Sequence, residues 1–191
     1  MGTETIARGK VERLCVNGEE VREVNFWWEG PAGDRHAKQT RRLSGHDGAY
    51  IRTSSLEKGD PVFNWRTWTG LSAEELREVE QELGLSIPVG CLLENIVISG
   101  IPDFSKLAPT TRLVFPCRGT SFEGKQAIFA IWEENGPCKT VGGRLADHYQ
   151  DDYLKTRLIV AAQNKRGVMG FVLAPGIIKR GDEVLVYPPV R

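Results

Sequence analysis

The sequence has no surplus of either charge. Its 25 Lys and Arg balance 25 Asp and Glu, so no global field draws it to a nucleic-acid polymer or an anionic membrane. No apolar run approaches the length needed to span a bilayer. The opening Met-Gly-Thr-Glu-Thr-Ile lacks the apolar core of a signal peptide, and Ile6 stands where a myristoylation motif needs Ser or Thr. A cytoplasmic protein without a membrane partner is expected. None of the four cysteines, Cys15, Cys91, Cys117 and Cys138, forms a C-x-x-C pair, which excludes zinc-ribbon and thioredoxin-like sites. A disulfide framework does not suit a chain of 191 residues with no export signal. No internal repeat or low-complexity linker divides the chain, so one domain over residues 1–191 is expected.

What is present reads mainly as β. Hydrophobic residues at 40% and 21 glycines fit a globular fold rich in turns. The segments "KVERLCVN" and "EVREVNFWW" flank Asn17-Gly18, a hairpin turn signal. "AYIRTSS", "ENIVIS", "TRLVFP", "QAIFAIWEE", "GVMGFVLA" and "DEVLVYPP" follow as strands, each bounded by Gly, Pro, Asn or Asp. Gly181-Asp182 is expected to turn between two barrel strands. Two helices interrupt the series. Ser72 and Glu75 form a capping box for "SAEELREVEQELG", with Gly84 as its stop. A second helix is expected through "RLADHYQDDYLKTRLIVAAQNKRG", with Leu145, Tyr149 and Leu158 on one buried stripe. Short strands with few helices point to a closed or nearly closed β-barrel carrying helical insertions.

Four stretches carry candidate chemistry. "EGPAGDRHAKQTRRLSGHDGAY", residues 29–50, is too poor in apolar residues to build core, so it is a surface loop or a binding loop. Arg35, Arg41, Arg42 and Arg52 offer forked donors to a phosphate or carboxylate, and His36 and His46 offer metal-ligand chemistry. In "VFNWRTWTG", alternation puts Asn64 and Arg66 on one face; the tryptophans are expected to pack against the capped helix. "CLLENIVISGIPDF" places Glu94 and Asn95 at the mouth of an apolar strand, where they need partners from backbone or ligand. Finally, "EENGPCKTVGG" sets Cys138 between turn-formers. Cys15 and Cys91, among apolar neighbours, read as buried small hydrophobes; Cys117 ends a strand pattern. For Cys138 three readings stand: turn packing, soft metal ligand or reactive thiol, with Lys139 and Arg144 as candidate activating cations. Gly142-Gly143 reads as a loop that lets backbone approach a ligand.

Taken in order, "GPAGDRHAKQTRRLSGHD", "NWRTW", "ENIVISGIPDF", "EENGPC" and "KRGVMGFVLAPGIIKRGDEV" resemble the MOSC family, named after the C-terminal domain of molybdenum-cofactor sulfurase. The resemblance spans residues 30–187. It implies a β-barrel in which one cysteine, here Cys138, ligates molybdenum or accepts sulfur. It also implies that Asp34, Arg35, His36, Arg52, Asn64, Arg66, Glu94, Asn95 and Arg166 bind the molybdenum cofactor (molybdopterin). The leading expectation is an oxidoreductase that reduces a small N-hydroxylated or N-oxide compound. The alternatives are a persulfide carrier for cofactor or metal-sulfur cluster sulfuration, and a non-enzymatic pterin- or anion-binding barrel. The chain lacks the pyridoxal-phosphate domain of some relatives, so no pyridoxal phosphate is expected. Electrons or sulfur would come from a separate donor protein, for sulfur one resembling a cysteine desulfurase. One departure stands out: Leu93 occupies a position where the family often has Gly.

Overall fold

A computed structural model describes residues 4–116 and 126–189. Cys117 lies outside the described residues, as does the side chain of His46. Thirteen strands and four helices are present among them.

The chain starts with β1 (Ala7–Val16), β2 (Glu19–Val21) and β3 (Glu23–Trp27). Asn17 and Gly18 both have positive φ, 55° and 88°, which matches the right-handed twist of the strands they join. β2 pairs with β1 as the turn requires. β3 leaves the hairpin and pairs instead with β4 (Gly30–Pro31) and β12 (Gly176–Lys179) in a three-stranded side sheet. The Gly181-Asp182 turn therefore joins that side sheet to the barrel, not two barrel strands. A small hairpin of β5 (Thr40–Arg42) and β6 (Pro61–Phe63) stands apart.

The barrel has seven strands. β7 (Trp68–Ser72) runs parallel to β8 (Ile96–Ser99), which pairs with β1, and β1 with β13 (Glu183–Tyr187). β9 (Arg112–Phe115), β10 (Ala127–Glu134) and β11 (Val168–Ala174) complete the ring back to β7. Closure leaves the seven strands without a free edge. Alternation fills the interior with Val11, Leu14, Phe26, Trp68, Ile96, Ile98, Leu113, Phe129 and Ile131, all buried. Trp68 lies 5.2 Å from Phe129, ring to ring, so it belongs to the barrel core and not to the face of the capped helix.

The parallel β7–β8 step needs a crossover, supplied by α2 (Ala73–Leu83). Ser72 accepts from the N–H groups of Glu74 and Glu75, and Gly84 closes the helix in the left-handed region. Only half of the expected capping box forms. The Glu75 carboxylate turns inward and accepts from the Ser105 N–H (3.0 Å) and hydroxyl (2.7 Å).

Two expectations fail. Residues 48–53 form the short helix α1 (Gly48–Thr53) rather than a strand. β propensity expresses packing on a pleated surface, and this segment pairs with no strand among the described residues. The second helix is two: α3 (Lys139–Tyr149) and α4 (Leu154–Ala161). Gln150 takes the left-handed conformation at the end of α3, and Asp151 accepts from the Tyr153 N–H to start a new turn. Leu145 and Leu158 are buried as expected, but Tyr149 is exposed, its hydroxyl donating to the Ser86 carbonyl at 2.7 Å. α2, α3 and α4 cover one outer wall of the barrel through a second apolar cluster that includes Leu71, Val79, Val97, Leu145 and Leu158. Gly142 is a contact residue in this layer: a Cβ there would come within 2.6 Å of the Lys155 carbonyl oxygen. It brings α3 onto α4 and does not line a loop.

Candidate functional site

One cleft of about 460 Å³ gathers residues from six separated parts of the chain. Asp34, Arg35, His36 and Lys38 come from the loop after β4; Arg41 comes from β5. Asn64, Arg66, Thr67 and Thr69 lead into β7. Leu93 and Asn95 precede β8, Asn135 and Cys138 follow β10, and Arg166 and Met169 enter β11. A hollow of similar volume, about 470 Å³, lies beside α2 and is lined by Glu74, Glu78 and Asp103 with Lys106 and Lys165. It contains no cysteine among its described lining, so size does not pick the site; chemistry does.

The loop at 33–38 is tied down by a turn from the far side of the barrel mouth. Asn17 donates its side-chain amide to the Gly33 carbonyl (2.8 Å), and its amide oxygen accepts from the Arg35 N–H (2.9 Å). Asp34 accepts from the His36 N–H at 2.8 Å, and the His36 ring nitrogen Nδ1 lies 3.2 Å from the same carboxylate. Asn95 reaches the loop through Asp34 (3.4 Å) and binds β7 by accepting from the Thr69 N–H (3.0 Å). Asn64 donates to the Lys38 carbonyl and accepts from the Arg66 N–H. These amides act as staples between loops. Asn17-Gly18 reads in the sequence as a turn, and no local signal marks the second task of Asn17.

The cations differ in how far they are neutralised. Arg41 makes a two-pronged contact with the buried Asp47 (2.9 and 2.6 Å) and lies over the Trp65 ring at 4.2 Å. The hydrogen bonds from Arg41 hold the Asp47 carboxyl well below the usual carboxylate range; burial opposes this, and the Ser44 N–H and hydroxyl add to it. Arg66 donates to Glu133 at 3.2 Å. Glu133 reaches it because a bulge between Ile131 and Glu133 shifts the register of β10 on β11. Arg35 and Lys38 are exposed, and among the described residues neither side chain meets a carboxylate. Arg166 is buried. It donates to the Asn135 amide oxygen (2.8 Å) and to the carbonyls of Gly136 (2.7 Å) and Leu92 (2.9 Å), all neutral acceptors. Burial lowers its pKa, while Cys138 and then Glu94 oppose the shift.

Cys138 is exposed and is the residue that caps the start of α3. Its position places the sulfur in the field of the N–H groups of the helix start. Burial raises the thiol pKa. The N–H groups of Val141 and Thr140, the Arg166 charge and the Thr140 hydroxyl together outweigh it, leaving the thiol below its ordinary 9.0. The activating cation is therefore Arg166. Arg144 is occupied by the carbonyls of Cys91 and Gly90, and Lys139 is not among the leading causes of the shift. The other two described cysteines are the reverse case: burial pushes Cys15 up to about 12 and Cys91 up to about 11.

Two expected members do not reach the cleft. Arg52 is exposed on α1 and is absent from the lining. Glu94 turns away, accepting from the Gly90 N–H (2.8 Å) and pairing with Arg13 (3.3 Å). The cause lies one residue earlier. Leu93 has φ of 60°, a left-handed conformation that costs a non-glycine residue about 1–2 kcal/mol. It is held there by its N–H donating to the Gly90 carbonyl and by the Thr69 hydroxyl donating to its own carbonyl at 2.8 Å. The position suits glycine for a backbone reason, and Leu93 adds an apolar side chain to the cleft wall.

Among the described residues no cluster of three or more His, Cys, Asp or Glu is arranged to hold a metal ion. A metal at Cys138 would bring its other ligands within a cofactor.

A seven-stranded barrel with one thiol among the described residues of its cleft defines a class, and comparison places the chain in it. The model of the MOSC domain matches residues 66–185, more than half of the chain, and the protein belongs to that family. A relative from Bacillus subtilis (strain 168), named "Putative metal-sulfur cluster biosynthesis proteins YuaD", is 28% identical over 171 residues, covering 88% of this chain and 82% of the relative. The crystal structure of the YuaD protein from Bacillus subtilis superposes with a TM-score of 0.84 at 24% identity, covering 99% of this chain and 100% of that one. YiiM from Escherichia coli shares the fold at a TM-score of 0.57 and 14% identity, over 96% of this chain and 71% of that one.

Proposed function

We propose that the protein is a sulfur-handling protein in which Cys138 takes up a sulfane sulfur as a persulfide and passes it to an acceptor. One observation carries this reading: the thiol of lowered pKa is also the exposed one, at the mouth of a cation-rich cleft. A persulfide carrier must meet both conditions, a thiolate to attack and access for donor and acceptor. The Cys138 thiolate attacks the outer sulfur of a donor persulfide; the donor sulfur–sulfur bond breaks and the donor leaves as its thiolate. An acceptor thiolate then repeats the exchange and restores Cys138. No net electrons are consumed. The metal-sulfur role printed in the YuaD name supports the reading. Incubation with a cysteine desulfurase and cysteine is expected to add one sulfur atom to the Cys138 peptide, and none in Cys138→Ala. Absence of that mass gain in the native sequence refutes the proposal.

A second reading has its own support. Buried polar atoms without a partner border the cleft, among them Arg41 Nε, Arg66 Nε and Thr67 Oγ1, and a cofactor rich in acceptor oxygens would satisfy such groups. The residues fit a molybdenum cofactor, with Arg35, Arg66 and Arg166 on its anionic groups and Cys138 as the protein's thiolate ligand. Bound there, such a cofactor would supply two-electron reduction of an N-hydroxylated or N-oxide compound. Molybdenum content of protein from cofactor-producing cells is expected to fall in Cys138→Ala; equal, near-zero metal in both refutes this reading.

A further inference from the structure

One wall of the cleft carries more hydrogen-bonding capacity than the protein uses. Arg166, Asn135 and Thr67 are exposed by only 5, 5 and 4%. Each borders the cleft, and each keeps one polar atom without a partner: Arg166 Nε, Asn135 Nδ2 and Thr67 Oγ1. An unpaired buried polar group costs about 1–3 kcal/mol, so three in one wall mark a place built for a ligand's acceptor atoms. The wall is also positively charged. The direct hydrogen-bond partners of Arg166 are all neutral oxygens, its charge being felt by Cys138 and Glu94 without an ion pair, and a buried cation so placed favours an anion in the cleft. Arg35 and Lys38, exposed and in no ion pair among the described residues, add two cations at the rim. Cys138 borders the same space.

We propose that this wall is a subsite for a small sulfur oxyanion of the thiosulfate class, and that this anion is a direct sulfur donor to Cys138. The inference rests on the sulfur-carrier reading and names a donor for it. The sulfonate oxygens lie on the donors of Arg166, Asn135 and Thr67, and the terminal sulfur faces Cys138. The Cys138 thiolate attacks that terminal sulfur. A new sulfur–sulfur bond forms on the protein as the one within thiosulfate breaks, and the electron pair of the broken bond leaves with sulfite. Thiolate plus thiosulfate gives persulfide plus sulfite, with atoms and charge conserved and no external reductant. Charge grows on the departing sulfite, where the cationic wall stabilises it most.

The test uses the reduced full chain and thiosulfate itself, with sulfite release and the mass of the Cys138 peptide as readouts. One sulfite per persulfide is expected in a single turnover, and none in Cys138→Ala. Thr67→Val removes a hydroxyl that has no partner, so the fold is retained, and the rate at low thiosulfate is expected to fall about 5- to 10-fold. Lys38→Ala, at the exposed rim, is expected to raise the half-saturating concentration about threefold and to weaken its dependence on salt. Sulfate, of similar shape but without a transferable sulfur, is expected to slow alkylation of Cys138. No sulfite from the native protein, while the same preparation accepts sulfur from a desulfurase, overturns this inference and leaves the carrier reading standing. Loading from neither donor overturns both. Sulfite release unchanged in Thr67→Val and in Lys38→Ala overturns the assignment of the wall.

Discussion

Asp47→Asn is the most informative single test of how the cleft is held together. Asp47 is 1% exposed and, among the described residues, accepts four hydrogen bonds: two from Arg41, at 2.9 and 2.6 Å, and two from the Ser44 N–H and hydroxyl, at 2.7 and 2.8 Å. Arg66 lies 3.8 Å away. The amide keeps the shape but loses the charge and turns an N–H₂ toward donors. Breaking a buried pair from one side costs about 3–5 kcal/mol. Arg41 retains partial access to water, its side chain 17% exposed, so the lower end applies, about 3 kcal/mol. For a chain of this length that is a fall in Tm of roughly 6–12 °C. The pH dependence sharpens the test. The folded pKa of Asp47 is depressed below its ordinary 3.8, so its contribution is complete above that value and is lost as pH falls through the folded pKa. Urea titrations at pH 7 and in steps below pH 4 are expected to show the native protein and Asp47→Asn converging as acid is added. A destabilisation at pH 7 below about 1 kcal/mol, the range of an exposed ion pair, or a difference independent of pH, refutes the reasoning.

Two further outcomes follow from titrating groups. In the native state iodoacetamide is expected to modify Cys138 at neutral pH with a midpoint below 9.0, while Cys15 and Cys91 stay unmodified until unfolding; peptide mass spectrometry reads each site, and equal labelling of the three refutes the assignment. Glu75 behaves oppositely to Asp47. Burial, partly offset by the Ser105 hydrogen bonds, raises its pKa above 4.5. Its contribution to stability is therefore complete below 4.5 and is lost as pH rises through the raised value. Glu75→Gln keeps an acceptor for Ser105 without the charge, so the variant is expected to gain on the native protein as pH rises from 4 to 8 in denaturant titrations; a gap that narrows instead refutes it.

Local chemistry made much of the barrel legible. Short apolar runs bounded by Gly, Pro, Asn or Asp marked β8, β9, β10, β11 and β13, and Ser72 with Gly84 bracketed α2 closely. The failures were decided by contacts that periodicity does not show. "AYIRTSS" carries strand-forming residues but pairs with no strand among the described residues, and α3 and α4 separate at an aspartate turn. For Cys138 three readings stand on local chemistry because Gly142 and Gly143 read as loop; packing of α3 on α4 needs a small residue at Gly142, and that places the sulfur at a helix start. Arg166, 28 residues further along the chain, supplies the charge that Lys139 and Arg144 were expected to bring. Asn135 and Thr67 sat within motifs already noticed, yet their unsatisfied atoms are visible only once the walls are assembled.

The pairing of β1 with β13 carries a consequence in time. The ring cannot close until Glu183–Tyr187 has been synthesised, and contacts of such long sequence separation form late. Arg166 finds the Asn135 amide across 31 residues and the Leu92 carbonyl across 74, so in an unfolded chain nothing holds its charge beside Cys138 and the thiol has the reactivity of any free cysteine. The same topology that scatters the site along the sequence thus works as an interlock, arming the sulfur only in a molecule that has finished folding.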